Sequence, residues 1–378
     1  MSGAALAGFR ILDFTAMLAG PYCTRLAADL GAEVVKIEPP VGEFMRSIPP
    51  ERGGVSTYFG AVNAGKKSIV LDLKTEAGRA VARALIAKAD AVVENMSPGA
   101  MGRLGLDYNS VKTIKRDIVY VSISGYGQSG PGAERPAYAP IIHASVGHDL
   151  ANMAHQPGMN KPQNTVIFTA DILGGTHAFG GLMAALLHRQ RTGEGQHVDL
   201  ALHDSMLNLL IWEIQNEQFP LDRPRVQYGP LQAKDGFVMV NPISRPNFEG
   251  LARIIGKPEW LDDPRFADGN TRGLHWPIMV VEIEAWAATR SVDECERLLN
   301  AAGCPCAAYR TVRQAMGHPQ TLHRGTIAMV SDSKGPFKIA ASPYLMSATP
   351  PTAGPRVPSC GEHTEAVLKS WLNTPDCA

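Results

Sequence analysis

The sequence lacks an excess of charge of either sign: 36 Lys and Arg balance 36 Asp and Glu, for a formal net charge of zero. A generally basic surface for nucleic acid is therefore not indicated, although a local basic pocket is compatible with the balance. Cysteine is scarce, 6 in 378 residues, with no CxxC. Of Cys23, Cys295, Cys304, Cys306, Cys360 and Cys377, only Cys304 and Cys306 are close, and Pro305 stiffens the step between them. Buried or incidental thiols are expected there rather than a metal or redox site. No uninterrupted apolar run is long enough to span a bilayer. The longest candidate, Ile172 to Leu187, contains His177 and several glycines and reads as a helix packed inside protein. The first residues, MSGAALAGFR, lack a basic region ahead of an apolar stretch, so no leader is expected. Few cysteines and no leader together predict a cytoplasmic protein with no membrane or nucleic-acid partner. HExxH, GxSxG, Walker A and zinc-ligand spacings are absent, so no metal site is expected.

What is present is an ordinary globular composition, 45% hydrophobic and 19% charged. At 378 residues the chain is long enough for one large domain or two. Its first part alternates short β-rich runs with helical spacing. Strands are predicted over Phe9–Phe14, Glu33–Glu38, Ser68–Leu73, Asp90–Glu94 and Ile118–Ser124. Helices are predicted after Gly20-Pro21 through Leu30 and over Glu76 to about Ala87. That alternation points to a parallel sheet covered on both faces. A long helix, Ile172 to Arg191, then leads through Thr192-Gly193-Glu194-Gly195 into a strand at His197–Leu200 and a helix from Asp204 into Glu213. The Pro- and charge-rich stretch Gln218–Val226 reads as a linker. Beyond it, a strand at Gly236–Val240 and helices at Asn247–Ile255 and Val292–Ala302 suggest a smaller α/β region, and Ser342–Ser359, rich in proline, should run extended over the surface.

Gly125-Tyr126-Gly127-Gln128-Ser129-Gly130 spells GxGxxG after a strand. A dinucleotide site also needs a helix to open there, and Pro131 to Pro136 reads as loop, so such binding is not expected. Asp171 is more informative. It stands just before the long Gly/Ala-rich helix, where a carboxylate can cap free amides, meet the positive end of the helix dipole and stay ionised. That is the state a carboxylate nucleophile needs. Gly174 and Gly175, one turn in, would leave room for a substrate. Most Asp residues at helix starts are only caps, and the local sequence does not separate the two roles. His148, beside Asp149, has the chemistry of a general acid/base, against the plainer alternative of a hydrogen-bonded loop histidine; His143, His155 and His177 share that ambiguity.

Several segments in order resemble class III CoA-transferases, the family of formyl-CoA and carnitine CoA-transferases, whose superfamily includes the α-methylacyl-CoA racemases. They are LDFTAMLAGPYCTRLAADLGAEVVKIE, NAGKKSIVLDLKTEAGR, VVENMSPGAMGRLGLDY, VSISGYGQSGP, DILGG, LMAALLHRQRTGEGQHVDLALHDSMLNLL, KDGFVMV and GEHTEAVL, and they cover nearly the whole chain. The resemblance implies an α/β fold with a large Rossmann-like domain built from both chain ends, a smaller α/β domain, and an interlocked homodimer. It divides the chain into 1–200 (large domain), 201–226 (helix and linker), 227–325 (small domain) and 326–378 (return to the large domain). It also implies no tightly bound cofactor, coenzyme A or acyl-CoA and a small carboxylic acid as substrates, and Asp171 as the catalytic aspartate. Met17, Leu18 and Ala19 match the first CoA-contacting loop, Leu71 and Lys74 the adenine and 3′-phosphate region, and Asn95, Met96 and Arg103 the pantetheine and phosphate segment. Tyr138 matches a tyrosine near the active site. The chain departs from the pattern in two places. Leu18 stands where formyl-CoA transferases carry Gln, and Asn241–Pro246 replaces a Gly-rich loop, so oxalate/formate specificity is not implied. Gly147-His148-Asp149 resembles the racemase acid/base segment, which leaves a racemase using His148 and Asp171 as the alternative. The racemase Glu in the loop after the second-domain strand has no match, since Ser244 and Arg245 stand there.

Overall fold

The computed structural model describes residues 3–156, 158–163, 165–221 and 228–372; the end of the expected linker, 222–226, and Cys377 lie outside them. By its internal contacts the chain forms two units, Met1–Glu213 with Leu322–Ala378, and Ile214–Thr321. The smaller unit thus starts at Ile214, ahead of the 227 expected, and ends at Thr321.

The large unit is built on six strands: β1 (Arg10–Asp13), β2 (Glu33–Glu38), β3 (Lys67–Val70), β4 (Ala91–Glu94), β5 (Val119–Ser124) and β6 (His197–Ala201). They pair in parallel throughout, in the order β3-β2-β1-β4-β5-β6. This is the order of a doubly wound Rossmann sheet, and it reverses direction between β1 and β4. The strands read as near-continuous apolar runs because both faces are covered. On one face α1 (Ala19–Asp29), α2 (Ala139–Ser145) and the long α3 (Thr169–Thr192) bury Leu26, Ile142, Leu182 and Leu186 against Ile11, Val93 and Val121. On the other, helix Glu76–Ile86 and the C-terminal helix Thr364–Leu372 bury Leu85, Ile86 and Trp371 against Leu12, Val35 and Val92.

Most expected elements form within two or three residues of their predicted bounds. The third expected strand is shorter, since Leu71-Asp72-Leu73 turns out of the sheet into the N-cap of the next helix. The single helix expected from Asp204 to Glu213 is two, Leu202–Leu209 and Ile211–Gln218, broken at Leu210. The tail 342–359 has no regular helix or strand but is strapped down. Ser342 Oγ and Thr352 N donate to Asp29, and Gly65 N donates to Arg356 O at 2.8 Å. Beside that bond Gly65 and Gly354 pass so closely that both must lack side chains: a Cβ on Gly65 would lie 2.9 Å from the Gly354 Cα. Helix α3 is long and apolar enough by composition to cross a membrane, yet Ala170, Gly174, Gly175, Ala178, Phe179, Leu182, Ala185 and Leu186 are buried against α1 and the sheet. It is packed as a core helix.

The small unit is a three-stranded antiparallel sheet, order Cys306–Ala308, Gly236–Val240, Leu231–Ala233, with helices packed on it. Its core is Phe248, Leu251, Trp260, Phe266, Met279, Ile283 and Leu299. Burial pushes the Cys304 and Cys306 thiols up to about 12, so both stay protonated at neutral pH.

Beneath the loop that leaves β1 lies a buried charge network. Lys66 Nζ and Asp13 Oδ2 are 2.8 Å apart and both side chains are fully buried. Lys66 Nζ also donates to Asn63 Oδ1 and Pro21 O, and Thr15 and Thr24 donate to the Asp13 carboxylate. Alongside, Lys36 Nζ pairs with Glu43 Oε2 at 2.6 Å and donates to Thr15 O at 2.7 Å. Burial alone would push the Asp13 carboxyl up; Lys66 and Lys36 reverse that and hold it well below the usual carboxylate range. Removing one partner strands a buried cation. Asp13→Asn should therefore cost about 3–5 kcal/mol, read as a lower urea midpoint, and adding Lys66→Met should recover part of the loss.

Candidate active site

Strand order reverses between β1 and β4, so the crevice at their carboxyl ends is where a ligand can enter this kind of sheet. The residues there come from two loops clamped together. Asn95, after β4, accepts from Ala16 N at 2.8 Å and donates to Ala16 O at 2.7 Å. Next in that loop, Met17 has φ 65°, the one positive φ of a non-glycine residue among the described residues. Such a conformation costs about 1–3 kcal/mol and persists only where surroundings impose it. Here Asn95 holds the residue before it, and Glu43 Oε1 accepts the Met17 N–H at 2.7 Å. The Glu43 carboxylate is itself anchored by Lys36, so the buried network shapes this loop directly.

The other expected CoA-contacting residues follow neighbouring strands. Leu71 and Lys74 come after β3, Met96 after β4, and Arg103 ends the short helix Ala100–Arg103. Lys74 and Arg103 are exposed, and no hydrogen bond or ion pair to their charged groups occurs among the described residues. Leu18, Ala19 and Leu71 are buried. Tyr138 caps α2 and is 68% exposed. The GxGxxG loop opens no helix; the next one starts at Ala139, and the Gln128 N–H is taken by Asp199 at 3.0–3.1 Å, which puts a carboxylate where a pyrophosphate would need an amide.

Asp171 is the third residue of α3, not its cap. The helix opens at Thr169, with Phe168 in the cap position and no side-chain cap bond. The reason lies elsewhere in the fold: the Ala170 N–H donates to His143 Nε2 at 3.0 Å, so a neighbouring helix supplies the acceptor. Asp171 is left with no hydrogen-bond or ion-pair partner among the described residues. Burial raises its carboxyl to about 6, instead of the cap holding it low. It is still mainly ionised at pH 7. Gly174 and Gly175 also act differently from expectation. A Cβ on Gly175 would sit 2.5 Å from Ala19 O, and one on Gly174 2.3 Å from Leu202 Cδ2. They admit the protein's own α1 and the Leu202 side chain, which seats α3 deeply and sets the place of Asp171.

His148 opens a helix, His148–Ala154, entered through Gly147 at φ 84°. Its Nδ1 lies 3.0 Å from Asp149 Oδ1, and Asn152 Nδ2 lies 3.2 Å from its Nε2. The amide can only donate, so the network assigns the proton to Nδ1, with Nε2 as acceptor. Its ring centroid is 5.2 Å from that of His143. His143 is fully buried; burial first, then the neighbouring His148, lowers its pKa and keeps it neutral. Because its Nε2 accepts from Ala170, its proton is on Nδ1, which has no partner. His143, His148 and Asp149 could bring ligand atoms within 4.8 Å of one another. Both histidines, however, have their lone pairs engaged or protonated, so a cation would have to break this network first.

Tyr58 was not singled out from the sequence, and His143 was named there only as an ambiguous histidine, without its part in this helix. His143 reaches Ala170 across 27 positions. Tyr58, pushed up by burial and by the charge of Asp171, faces it from a segment 113 positions earlier. In the small unit, Ser244 caps the helix Arg245–Ile254 and Arg245 pairs with Glu249 at 2.9 Å, so both serve local structure.

Because the folded-state pKa of Asp171 is raised, its ionisation costs stability. Below the unfolded value of 3.8 the carboxyl is mainly protonated in both states and little is lost. As pH rises toward 6 the unfolded chain ionises first, and the penalty is fully present above 6. Asp171→Asn should therefore raise the unfolding free energy by about 1–3 kcal/mol at pH 7.5 and leave it nearly unchanged at pH 3.5, as checked by thermal unfolding at both values.

A family model for CoA-transferase family III matches residues 6–364. Acetyl-CoA:oxalate CoA-transferase of Acetobacter aceti is 32% identical over 96% of this chain and 95% of its own length. Succinyl-CoA:glutarate CoA-transferase of Mus musculus is 31% identical over 97% and 86%. The crystal structure of a CAIB/BAIF family protein from Brucella suis superposes with a TM-score of 0.84 at 30% identity, covering 98% of this chain and 100% of that one. A Rossmann sheet with its crevice at the β1–β4 reversal, matched along nearly its whole length by enzymes of one kind, places this chain in CoA-transferase family III.

Proposed function

We propose that this enzyme moves CoA from an acyl-CoA thioester to a free carboxylic acid through a covalent adduct on Asp171. The observation that carries the reading is the state of that carboxylate. It is partly buried, free of hydrogen bonds and ion pairs among the described residues, and raised by burial to about 6, so at neutral pH it is mainly ionised with its hydration reduced, as suits a nucleophile. It lies in the first turn of a helix, where the dipole favours negative charge.

In this reading an Asp171 oxygen attacks the thioester carbonyl, the C–S bond breaks and CoA thiolate leaves a mixed anhydride. The thiolate attacks the aspartyl carbonyl, releasing the donor acid and leaving an aspartyl CoA thioester. The acceptor carboxylate attacks that thioester, expelling the thiolate, which then attacks the acceptor carbonyl of the new anhydride and restores the Asp171 carboxylate. One thioester replaces another, so no ATP is consumed. Met17–Ala19 and Asn95 hold the pantetheine arm in the crevice by backbone and amide groups. Met96 and Leu71 give it apolar support, and Tyr138 stands at the mouth. Lys74 and Arg103, exposed and without partners, are suited to phosphates. The protomers pair as an interlocked homodimer, a reading supported by the large exposure of Leu209 and Ile211 where the chain leaves the large unit.

A racemase reading retains one specific support: His148 joins the same cluster as His143, the residue that caps the helix of Asp171. The two reactions differ in which bond breaks. Transfer requires acylation of Asp171, so hydroxylamine added with an acyl-CoA donor should trap a hydroxamate on the Asp171 peptide, seen by mass spectrometry, and Asp171→Ala should abolish turnover. Rapid α-deuterium uptake into a 2-methylacyl-CoA, lost in His148→Ala and with no trapped peptide, would establish the racemase instead. Separately, Arg103→Ala should weaken binding of free CoA about tenfold by calorimetry; an unchanged dissociation constant places Arg103 outside the site.

A further inference from the structure

A cavity of about 280 Å³ opens beside the first turn of α3. Phe168 and Ile172 form part of its wall. They stand three residues before and one residue after Asp171, so all three share one side of the helix. The opposite wall is Leu18, from the strained first loop, with Tyr22, Tyr58 and Val62. Asp171 lies between Phe168 and Ile172 in the chain, and the Tyr58 hydroxyl feels its charge. Ala340, Ala341 and Ser342, from the far end of the chain, close the remaining side.

The wall is almost wholly apolar, and its two ionic groups are spent. Arg25 Nε binds Asp29 Oδ1 at 2.7 Å and its Nη1 donates to Ala61 O at 2.7 Å. The second Asp29 oxygen accepts from Ser342 Oγ at 2.7 Å. Arg25 Nη2 has no partner, but the charge of the guanidinium is already met by Asp29. A second carboxylate on the substrate would therefore lose its water and meet no uncompensated cation among these residues.

We infer that this chamber receives the acyl group, and that it selects monocarboxylic acids with an apolar body, aliphatic or aryl, over short dicarboxylic acids. The inference rests on the transferase reading above and adds the substrate class to it. It sets this chain apart from relatives whose printed names specify oxalate or glutarate.

The test uses the full-length enzyme, with acetyl-, butyryl-, hexanoyl-, phenylacetyl- and succinyl-CoA as donors and the matching acids and oxalate as acceptors. Along the straight-chain series kcat/KM should rise about fourfold per added methylene until the chamber is full. Hexanoate and phenylacetate should exceed succinate and oxalate by about tenfold or more. Ala341→Phe, which adds bulk to the chamber wall, should lower kcat/KM for hexanoyl-CoA relative to that for acetyl-CoA about tenfold or more. A preference for succinate or oxalate, or equal loss for acetyl- and hexanoyl-CoA in the variant, overturns the substrate class while leaving the transferase reading intact. If the variant fails to fold, the chain-length series decides alone: a flat profile overturns the inference. No transfer between any pair, or full transfer by Asp171→Ala, overturns the transferase reading itself.

Discussion

The buried pairing of Asp13 with Lys66, with Lys36 and Glu43 beside it, is the constraint on which the rest of the large unit depends. Charges inside a protein are costly unless geometry is fixed and remaining donors are satisfied. Here Thr15, Thr24, Asn63 and two backbone carbonyls complete the set. The network does not sit idly in the core. Asp13 ends β1, Lys36 lies in the middle of β2 and Lys66 immediately precedes β3, so three adjacent strands are tied together at the level where β1 ends. Glu43 then reaches up to hold the Met17 amide in its left-handed turn. Stability is invested where the crevice must keep its shape, which is also where apolar packing alone would let the loop relax.

Asp171 is arranged on the opposite principle. No described residue hydrogen-bonds or ion-pairs with it, and its helix is capped by His143 instead. A capped carboxylate would be more stable and a poorer nucleophile, because the hydrogen bonds would have to be broken during attack. Delegating the cap to a neutral, buried histidine leaves the carboxylate raised to about 6 and unencumbered. The glycines behind it complete the arrangement, since the close approach of α3 to Ala19 O brings the first loop and Asp171 into one neighbourhood.

Much of this was legible in the sequence, for identifiable reasons. Strands such as Glu33–Glu38 are apolar runs between turn signals, and their alternation with helices specifies a parallel sheet. The place of Asp171 at the start of a long Gly/Ala-rich helix was legible because that is a local pattern, although it is the helix's third residue and not its cap. Its chemistry was not legible, because that depends on who caps the helix, and His143 makes the bond through tertiary structure. Tyr58 was hidden for the same reason. Leu18 could be seen as a departure, but its place in an apolar wall with Tyr22 and Phe168 needed the fold. The helix Trp276–Ala287 was passed over because Pro277 and neighbouring His275 blur its start, and the hairpin Ile327–Ala340 because its exposed faces break the alternation.

The return of the chain to the large unit has a consequence for how the molecule comes into being. Ser342 joins Asp29 across 313 residues, Arg356 receives the Gly65 amide, and Trp371 fills the core under helix Glu76–Ile86. During synthesis the ribosome delivers the sheet first, with one helical layer incomplete and the apolar chamber open on one side. The intervening unit, a self-contained sequence of about a hundred residues, can finish folding before the strap emerges. Loop closure over so long a span grows costlier only logarithmically, so the delay is set mainly by translation and not by the entropy of the search. Nascent chains paused before residue 342 would therefore carry a nearly complete Rossmann sheet with a sticky unfilled face, the species a chaperone would be expected to hold.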